Sequence, residues 1–534
     1  MNVDSRGWDV VVIGAGPNGL VAANVLADHG WSVLVLEAEP EVGGAVRSAR
    51  DVHPDFVHDT FSAFYPLAAA SHVISAMELQ EYGLVWRHAP AVLGHPLADG
   101  AWALLHRDRL VTAAAFDDDY PGDGDRWLTL CETWDRIAPS LLGSLLTPFP
   151  PVRTGLALLA RLRTAGGLEL VKTLLSPAKD LGRLRFGGAA PQLLLAGNAG
   201  HADIPLDAPG SGLFAFLLTM LGQTVGFPVP EGGAGMLSKA LERRLRARGG
   251  EVVTQARVVR VEIDRGRVTA AVTAEGNRMS ARRAVIADVS APSLYLQLIG
   301  ADALPAKTVS ALRAFQLDPS TVKVDWALSG PVPWAGRPAH APGTVHLADS
   351  VDDMTLSLGQ VQAGAVPARP FLLAGQMSAA DPTRSPAGTE SLWAYTHVPQ
   401  TVRSDAGDGS IRGAWDRDDC ERMADRIQAR FEERAPGFSD RIVARRVLGP
   451  RELEAMNANL VGGAINGGTA QIHQQLVFRP IPGWGRAETP VRGLYLGSAA
   501  AHPGGGVHGA PGFNAARAAL AHDRLRPPWR RTSA

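Results

Sequence analysis

The run Val10-Val11-Val12-Ile13, followed by Gly14-Ala15-Gly16-Pro17-Asn18-Gly19, restricts this chain more than any other stretch. A β-branched run of this kind reads as a buried parallel strand. Beyond the glycines, Leu20 to Ala27 has helical apolar spacing, and His29-Gly30 supplies a stop. Ser32 to Leu36 reads as a second strand ending at Glu37, an acid about 20 residues past the glycines. With 58 glycines in the chain, Gly14-x-Gly16-x-x-Gly19 alone says little. Strand, turn, helix, strand and acid together define a dinucleotide-binding βαβ unit. Gly14 permits the turn, Gly16 lets backbone approach a pyrophosphate, and Gly19 lets the helix pack on the strand. Pro17 and Asn18 belong to the same cradle, whose helix N-terminus suits phosphate. Glu37 is placed to accept hydrogen bonds from ribose hydroxyls. At this point NAD and FAD are both open.

The chain has 534 residues, more than one hydrophobic core usually supports, so two domains are expected. A formal net charge of −1 gives no basic field to collect nucleic acid, and no such partner is expected. The two cysteines, Cys131 and Cys420, form neither a C-x-x-C nor a zinc spacing. No metal and no redox dithiol are therefore expected. No second glycine signature follows a strand; Gly210-Ser211-Gly212 sits in a loop with no acid at the right distance. The first residues lack a secretory pattern, and no apolar run reaches the ~18–20 residues of a spanning helix. A cytoplasmic location is expected, with peripheral membrane contact left open.

Four segments carry a resemblance. After Glu37 come Gly43-Gly44-Ala45 and then Arg47. At the other end, Gly493-Leu494-Tyr495-Leu496-Gly497-Ser498 leads through His502 and Gly504-Gly505-Gly506-Val507-His508-Gly509 to Pro511. In between, Glu231 and a glycine turn precede a helix with Leu237, Leu241 and Leu245 on one face, then alternating strands from Glu251 to Thr273, then Ala284 to Asp288. The last is Gly462-Gly463-Ala464, followed by Arg479-Pro480. Together these segments resemble the FAD-dependent phytoene dehydrogenase and desaturase-like enzymes of the amine oxidase superfamily. Gly43-Gly44-Ala45 is similar to the carotenoid ketolase-like branch. Ala45 stands where many members carry Arg or Lys, and Ser498 and Ala464 stand where relatives often carry an acid.

The resemblance implies an α/β fold: a discontinuous Rossmann-type FAD-binding domain (1–74, 226–304 and 481–534) with an inserted α+β substrate domain (75–225 and 305–480). It implies FAD as the cofactor, with Gly43, Gly44, Ala45, Gly497, Ser498, Gly506, Val507, His508 and Gly509 joining the first cradle around it. Val258 would pack on the adenine. The helix begun by Pro511 would point its N-terminus at the flavin, where N–H groups and the dipole stabilise the reduced anion. Desaturation or related hydride transfer on an apolar, carotenoid or isoprenoid substrate is the implied activity. The electron acceptor is open among dioxygen, a quinone and a nicotinamide. A flavin amine oxidase is one alternative, although the sequence suggests no aromatic cage for an amine. A non-enzymatic prenyl- or lipid-binding protein on the same fold is another.

His502, His508 and Glu231 are the acid–base candidates nearest the glycine motifs, with lining and capping roles as the competing explanation. Leu156, Leu158, Leu159 and Leu162, set among Arg153, Arg161 and Arg163, read as an amphipathic helix. It suits a substrate domain with its arginines in water, or a membrane surface. The stretch Thr321-Val322-Lys323-Val324-Asp325-Trp326-Ala327 alternates as a strand, and Glu421 to Glu433 reads as a helix.

Overall fold

β1 (Trp8–Ile13) is buried along its whole length and leads into α1 (Pro17–Asp28), which starts at a proline preceded by Gly16. β2 (Val33–Leu36) follows. The chain then supplies β3 (Ala91–Pro96) and β4 (Trp102–Leu105). A helical stretch includes α2 (Asp123–Leu146), α3 (Val152–Leu162), α4 (Leu168–Leu175) and α5 (Ser211–Thr224). The chain returns through α6 (Gly235–Ala247), β5 (Glu251–Val253), β6 (Val258–Asp264), β7 (Arg267–Thr273) and β8 (Arg278–Ala287). A second excursion gives β9 (Ser320–Leu328), β10 (Pro342–Leu347), β11 (Leu372–Gln376), β12 (Glu390–Val398), α7 (Arg417–Arg434) and β13 (Ile442–Leu448). β14 (Leu494–Leu496) and α8 (Ala510–Arg524) come last. The computed structural model describes residues 7–162 and 166–525. The first six residues, Arg163 and the basic tail beyond Leu525 lie outside the described residues.

The first sheet runs β6-β7-β8-β1-β2-β5, with β14 also pairing β8. Strands β5, β2, β1, β8 and β14 are mutually parallel, while β6 and β7 form an antiparallel meander on β8. Strand alternation explains its two buried faces. Val10, Val12, Val33 and Val35 pack with apolar residues of α1, α6 and α8. Val11, Ile13, Leu34 and Leu36 pack with Val261 and Val268 of the meander. This is the Rossmann-type arrangement expected. A buried polar contact pins α6 on α1. Asn24 Nδ2 donates to Leu20 O at 2.9 Å and Leu241 O at 3.0 Å, and Arg244 reaches both Asn24 and Asp28. Removing Asn24 would strand buried partners, at about 1–3 kcal/mol.

The second sheet runs β13-β9-β12-β11-β10-β3-β4. One face of β9 carries Val322, Val324, Trp326 and Leu328 against Ile427 and Phe431 of α7. Trp326 meets Phe431 and Phe438 edge-on, at 5.4 and 5.5 Å between ring centroids. The alternate positions of β9 are polar yet buried: Thr321, Lys323 and Asp325 pair in register with His397, Tyr395 and Trp393 of β12. A polar buried face of this kind needs partners or a ligand. The helical stretch packs Trp134 of α2 on Phe216 of α5, at 5.7 Å. Within that stretch α3 stands apart, because none of its residues is buried.

Candidate active site

The site is assembled at the start of α1. Gly16 caps the helix with backbone alone, and the first turn contains no acidic residue. A Cβ on Gly19 would lie 2.1 Å from Gly14 O, so only glycine allows the turn to close this tightly. A Cβ on Gly44 would lie 3.1 Å from Gly16 Cα, so the Gly43-Gly44-Ala45 loop lies directly on the first glycine turn. Glu37, buried at the end of β2, accepts hydrogen bonds from Ala15 N (2.6 Å) and Glu39 N (2.9 Å). Asp288, one residue past β8, accepts from Gly19 N at 2.8 Å. Burial pushes its carboxyl up to about 7, with the Glu37 charge adding to the rise. Arg47 does not point into the cradle. It donates to Gly44 O and Met456 O and holds the loop from behind. Val258 starts β6, paired with Thr273 on the meander side of the sheet.

α8 approaches the same place. Gly509 caps it with φ +71 and no side-chain hydrogen bond, and its first turn has no acid. A Cβ on Gly512 would lie 1.9 Å from Asn18 O, so the starts of α1 and α8 are in backbone contact. Two helix N-termini therefore converge with their partial positive charge, although Asp288 takes the Gly19 N–H and His508 Nδ1 the Ala510 N–H. Gly497 follows β14, and Ser498 Oγ accepts from Ala500 N at 3.2 Å. The intervening loop is strained: Val507 has φ +52, an outlier for a β-branched residue, costing about 1–2 kcal/mol. Two convergent dipoles, a glycine-lined cleft and the Glu37 carboxylate fit a phosphate-bearing, ribose-bearing group that carries anionic charge when reduced.

Two cavities border the loop. One, of about 400 Å³, is aliphatic: Leu141, Leu145, Leu158, Leu170, Leu174 and Leu213 are among its walls, with Gly505 and His508 at one side. The other, of about 220 Å³, is walled by Phe64, Phe227, Trp393, Tyr395 and Lys323, with Ala45, Gly506 and Val507 at one side. Trp393 and Tyr395 stack at 6.0 Å, and the Lys323 ammonium lies 5.9 Å from the Trp393 ring centroid. The sequence suggested no aromatic cage; the structure brings Phe64, Trp393 and Tyr395 to one cavity. Alternate positions of β12 put the Trp393 and Tyr395 rings on one face, which a local reading of the strand does not reveal.

Lys323 is missing from the expected site residues. It is buried, donates to Asp59 O at 3.0 Å and pairs with Asp325, which Arg446 also holds at 2.8 Å. Burial pulls its ammonium below the usual lysine range, and Asp325 opposes that shift. His201 lines the same cavity and bonds His346 between Nε2 atoms at 2.8 Å. Burial pulls His201 down to about 3 and His397 to about 4, so both are neutral near pH 7.

The three acid–base candidates do not reach this cavity. His508 Nδ1 accepts from Ala510 N (3.1 Å) and its Nε2 donates to Gly505 O (3.2 Å), so backbone occupies both nitrogens. His502 Nε2 donates to Thr147 O at 3.0 Å. Burial lowers both histidines to about 4. Glu231 pairs with Arg87 at 3.0 Å where both are partly exposed. These contacts are those of capping and lining groups, and His502 and His508 border the aliphatic cavity instead. The Gly462–Arg479 segment runs between the two cavities and is held by buried charges. Asp318 accepts from Ile465, Asn466 and Gly468 N, and Arg479 donates to the carbonyls of Gly467, Thr469 and Ala499. Gly210 sits at the start of α5 and caps it.

A two-sheet fold with a glycine cradle, convergent helix N-termini and adjoining cavities defines a flavoprotein oxidoreductase. Residues 18–324 match the family model described as flavin containing amine oxidoreductase, and the chain belongs to that family. FAD is its cofactor. The chain is 28% identical to the mouse (Mus musculus) pyridine nucleotide-disulfide oxidoreductase domain-containing protein 2, over 95% of this chain and 92% of that protein. It is 25% identical to a lycopene-forming phytoene desaturase of Pseudescherichia vulneris, over 57% and 58% respectively. An oxidoreductase from Methanosarcina mazei has the same fold, with a TM-score of 0.61 at 15% identity, covering 96% of this chain and 99% of that one. No helix among the described residues is long and apolar enough to cross a membrane.

Proposed function

We propose that this chain removes hydrogen from a long apolar substrate, of carotenoid or other isoprenoid type, in the manner of the phytoene dehydrogenase-like branch. The observation that carries the reading is the aliphatic cavity lying against the Gly505–His508 loop. Its lining offers hydrocarbon contact and almost no hydrogen bonding, which suits a polyene and not a polar metabolite. The likeness to a phytoene desaturase supports it. Gly14, Gly16, Pro17, Asn18 and Gly19, with Gly43, Gly44 and Ala45, would hold the FAD pyrophosphate, Glu37 the ribose and Val258 the adenine. Gly497, Ser498 and Gly506 to Gly509 would hold the flavin end. When bound, FAD supplies a two-electron acceptor. The protein's share is to orient the chain, exclude water and position Lys323 and His201 at the reacting cavity. Dioxygen, a quinone or a nicotinamide completes the cycle.

Amine oxidation is the second reading, favoured by the Phe64, Trp393 and Tyr395 rings beside Lys323. Anaerobic bleaching of the flavin separates the two. Polyenes should bleach the holoenzyme and simple amines should not. Rapid bleaching by an amine with none by polyenes overturns the first reading. Purified protein without flavin absorbance would favour a non-enzymatic lipid carrier.

A further inference from the structure

α3 is amphipathic, and protein covers only part of its apolar arc. Leu158 and Leu162 turn inward and line the aliphatic cavity. Val152, Leu156 and Leu159, at i, i+4 and i+7, form a second stripe that is 62%, 63% and 61% exposed. The exposure continues around the cavity mouth. Leu175, Ile472 and Leu476 are exposed and are also cavity-lining residues, so the rim is as apolar as the interior. Leu168 at the start of α4 is 84% exposed. Water is a poor neighbour for such a rim, and contiguous apolar patches of this kind mark interaction surfaces. The remaining arc of α3 carries the exposed Arg153 and Arg161 and no acid, while on α4 Lys172 is paired with Glu169.

We propose that α3, α4 and the segment around Ile472 dock on the surface of a phospholipid bilayer carrying anionic headgroups, with the aliphatic cavity opening into the acyl layer. An amphipathic helix lying in the interface buries its apolar stripe below the headgroups while arginines reach them. Cationic charge on this helix is complementary to anionic lipid, and a cavity that opens among apolar side chains lets a hydrocarbon enter without crossing water. The cavity's part in this rests on the apolar-substrate reading above; the docking surface does not.

Co-sedimentation of the FAD-loaded full chain with vesicles tests it. The wild type should pellet with phosphatidylcholine vesicles containing phosphatidylglycerol, and less with phosphatidylcholine alone. Leu156→Asp with Leu159→Asp should lower partitioning by roughly tenfold or more, with flavin absorbance and Tm unchanged. Arg153→Gln with Arg161→Gln should abolish the preference for anionic vesicles. A wild type left in the supernatant with both vesicle types overturns the proposal, as does equal pelleting of the aspartate variant. A wild-type dimer, seen by light scattering and dissociated by that variant, would instead assign the face to a second copy. Vesicle binding needs no turnover, so it stands or falls separately from bleaching by polyenes.

Discussion

The aliphatic and aromatic cavities share the Gly505–His508 loop, yet their walls come from different parts of the molecule. The aliphatic walls are helical, drawn from α2 to α5, where leucines every three or four residues give a continuous hydrocarbon surface. The aromatic cavity is lined by loop segments such as Phe61 to Phe64 and by one face of β9 and β12, where alternation lets the sheet face a core through valines and face the site through Thr321, Lys323, Trp393 and Tyr395. Helices provide capacity; the sheet provides fixed positions for a few polar and aromatic groups. On the proposed reading binding and chemistry rest on different scaffolds, and each should be changeable without the other.

Gly16→Val removes what both cavities depend on. A Cβ there would lie 2.7 Å from Asp288 Oδ2. FAD affinity should fall roughly 1,000-fold, because overpacking costs ~1–3 kcal/mol and the side chain also obstructs the pyrophosphate. Loss of the visible flavin spectrum after gel filtration checks it. Lys323→Met should separate the cavities. Anaerobic flavin reduction should slow by roughly 100-fold, at the low end for a positioned proton-transfer group. Binding of an unreactive hydrocarbon in the aliphatic cavity should be unchanged. Equal reduction rates would remove the aromatic cavity from the chemistry.

The segment between the cavities should respond to pH. Ile465 and Asn466 line the aromatic cavity, Ala470 and Ile472 the aliphatic one, and Asp318 holds the segment by three backbone N–H groups. Burial pushes Asp318 up to about 6, with Asp203 adding to the rise. Its folded value lies above the unfolded ~3.9, so the native state binds the proton more tightly. Wild-type stability should therefore fall relative to Asp318→Asn as pH rises from about 4 to about 6, by at most about 3 kcal/mol. Differential scanning calorimetry of both proteins across that range reads the effect. Leu174→Trp gives the smallest change. Filling part of the aliphatic cavity should weaken a long polyene about tenfold, equivalent to displacing one or two methylenes. Flavin reduction by short substrates should not change, as steady-state KM values for the two lengths would show.

The parts legible in the sequence are those whose signals are local. The βαβ unit, the β6–β7 meander and the β14–α8 segment each combine glycines, β-branched runs and a helix start within a few tens of residues. The strand order of the second sheet was not legible, because β3 joins β10 more than 200 residues away and local patterning carries no pairing information. The alternation in Thr321 to Ala327 was visible, but a polar face usually means solvent, and here both faces are buried. That is why Lys323, Trp393 and Tyr395 escaped notice. His502 and His508 do border the aliphatic cavity, as their nearness to the glycine loop suggested, but the backbone bonds at their rings could not be read from the sequence.

The contact between Gly512 and Asn18 sets an order of events during biosynthesis. Residue 18 leaves the ribosome 494 positions ahead of residue 512, roughly 25–100 s at ~5–20 residues per second. Through that interval α1 and the parallel strands wait with Val285 to Ala287 of β8 lacking their β14 partner and the α8 side of the cradle missing. Tight prosthetic-group capture therefore belongs to the end of translation, and nascent chains halted before β14 should emerge colourless.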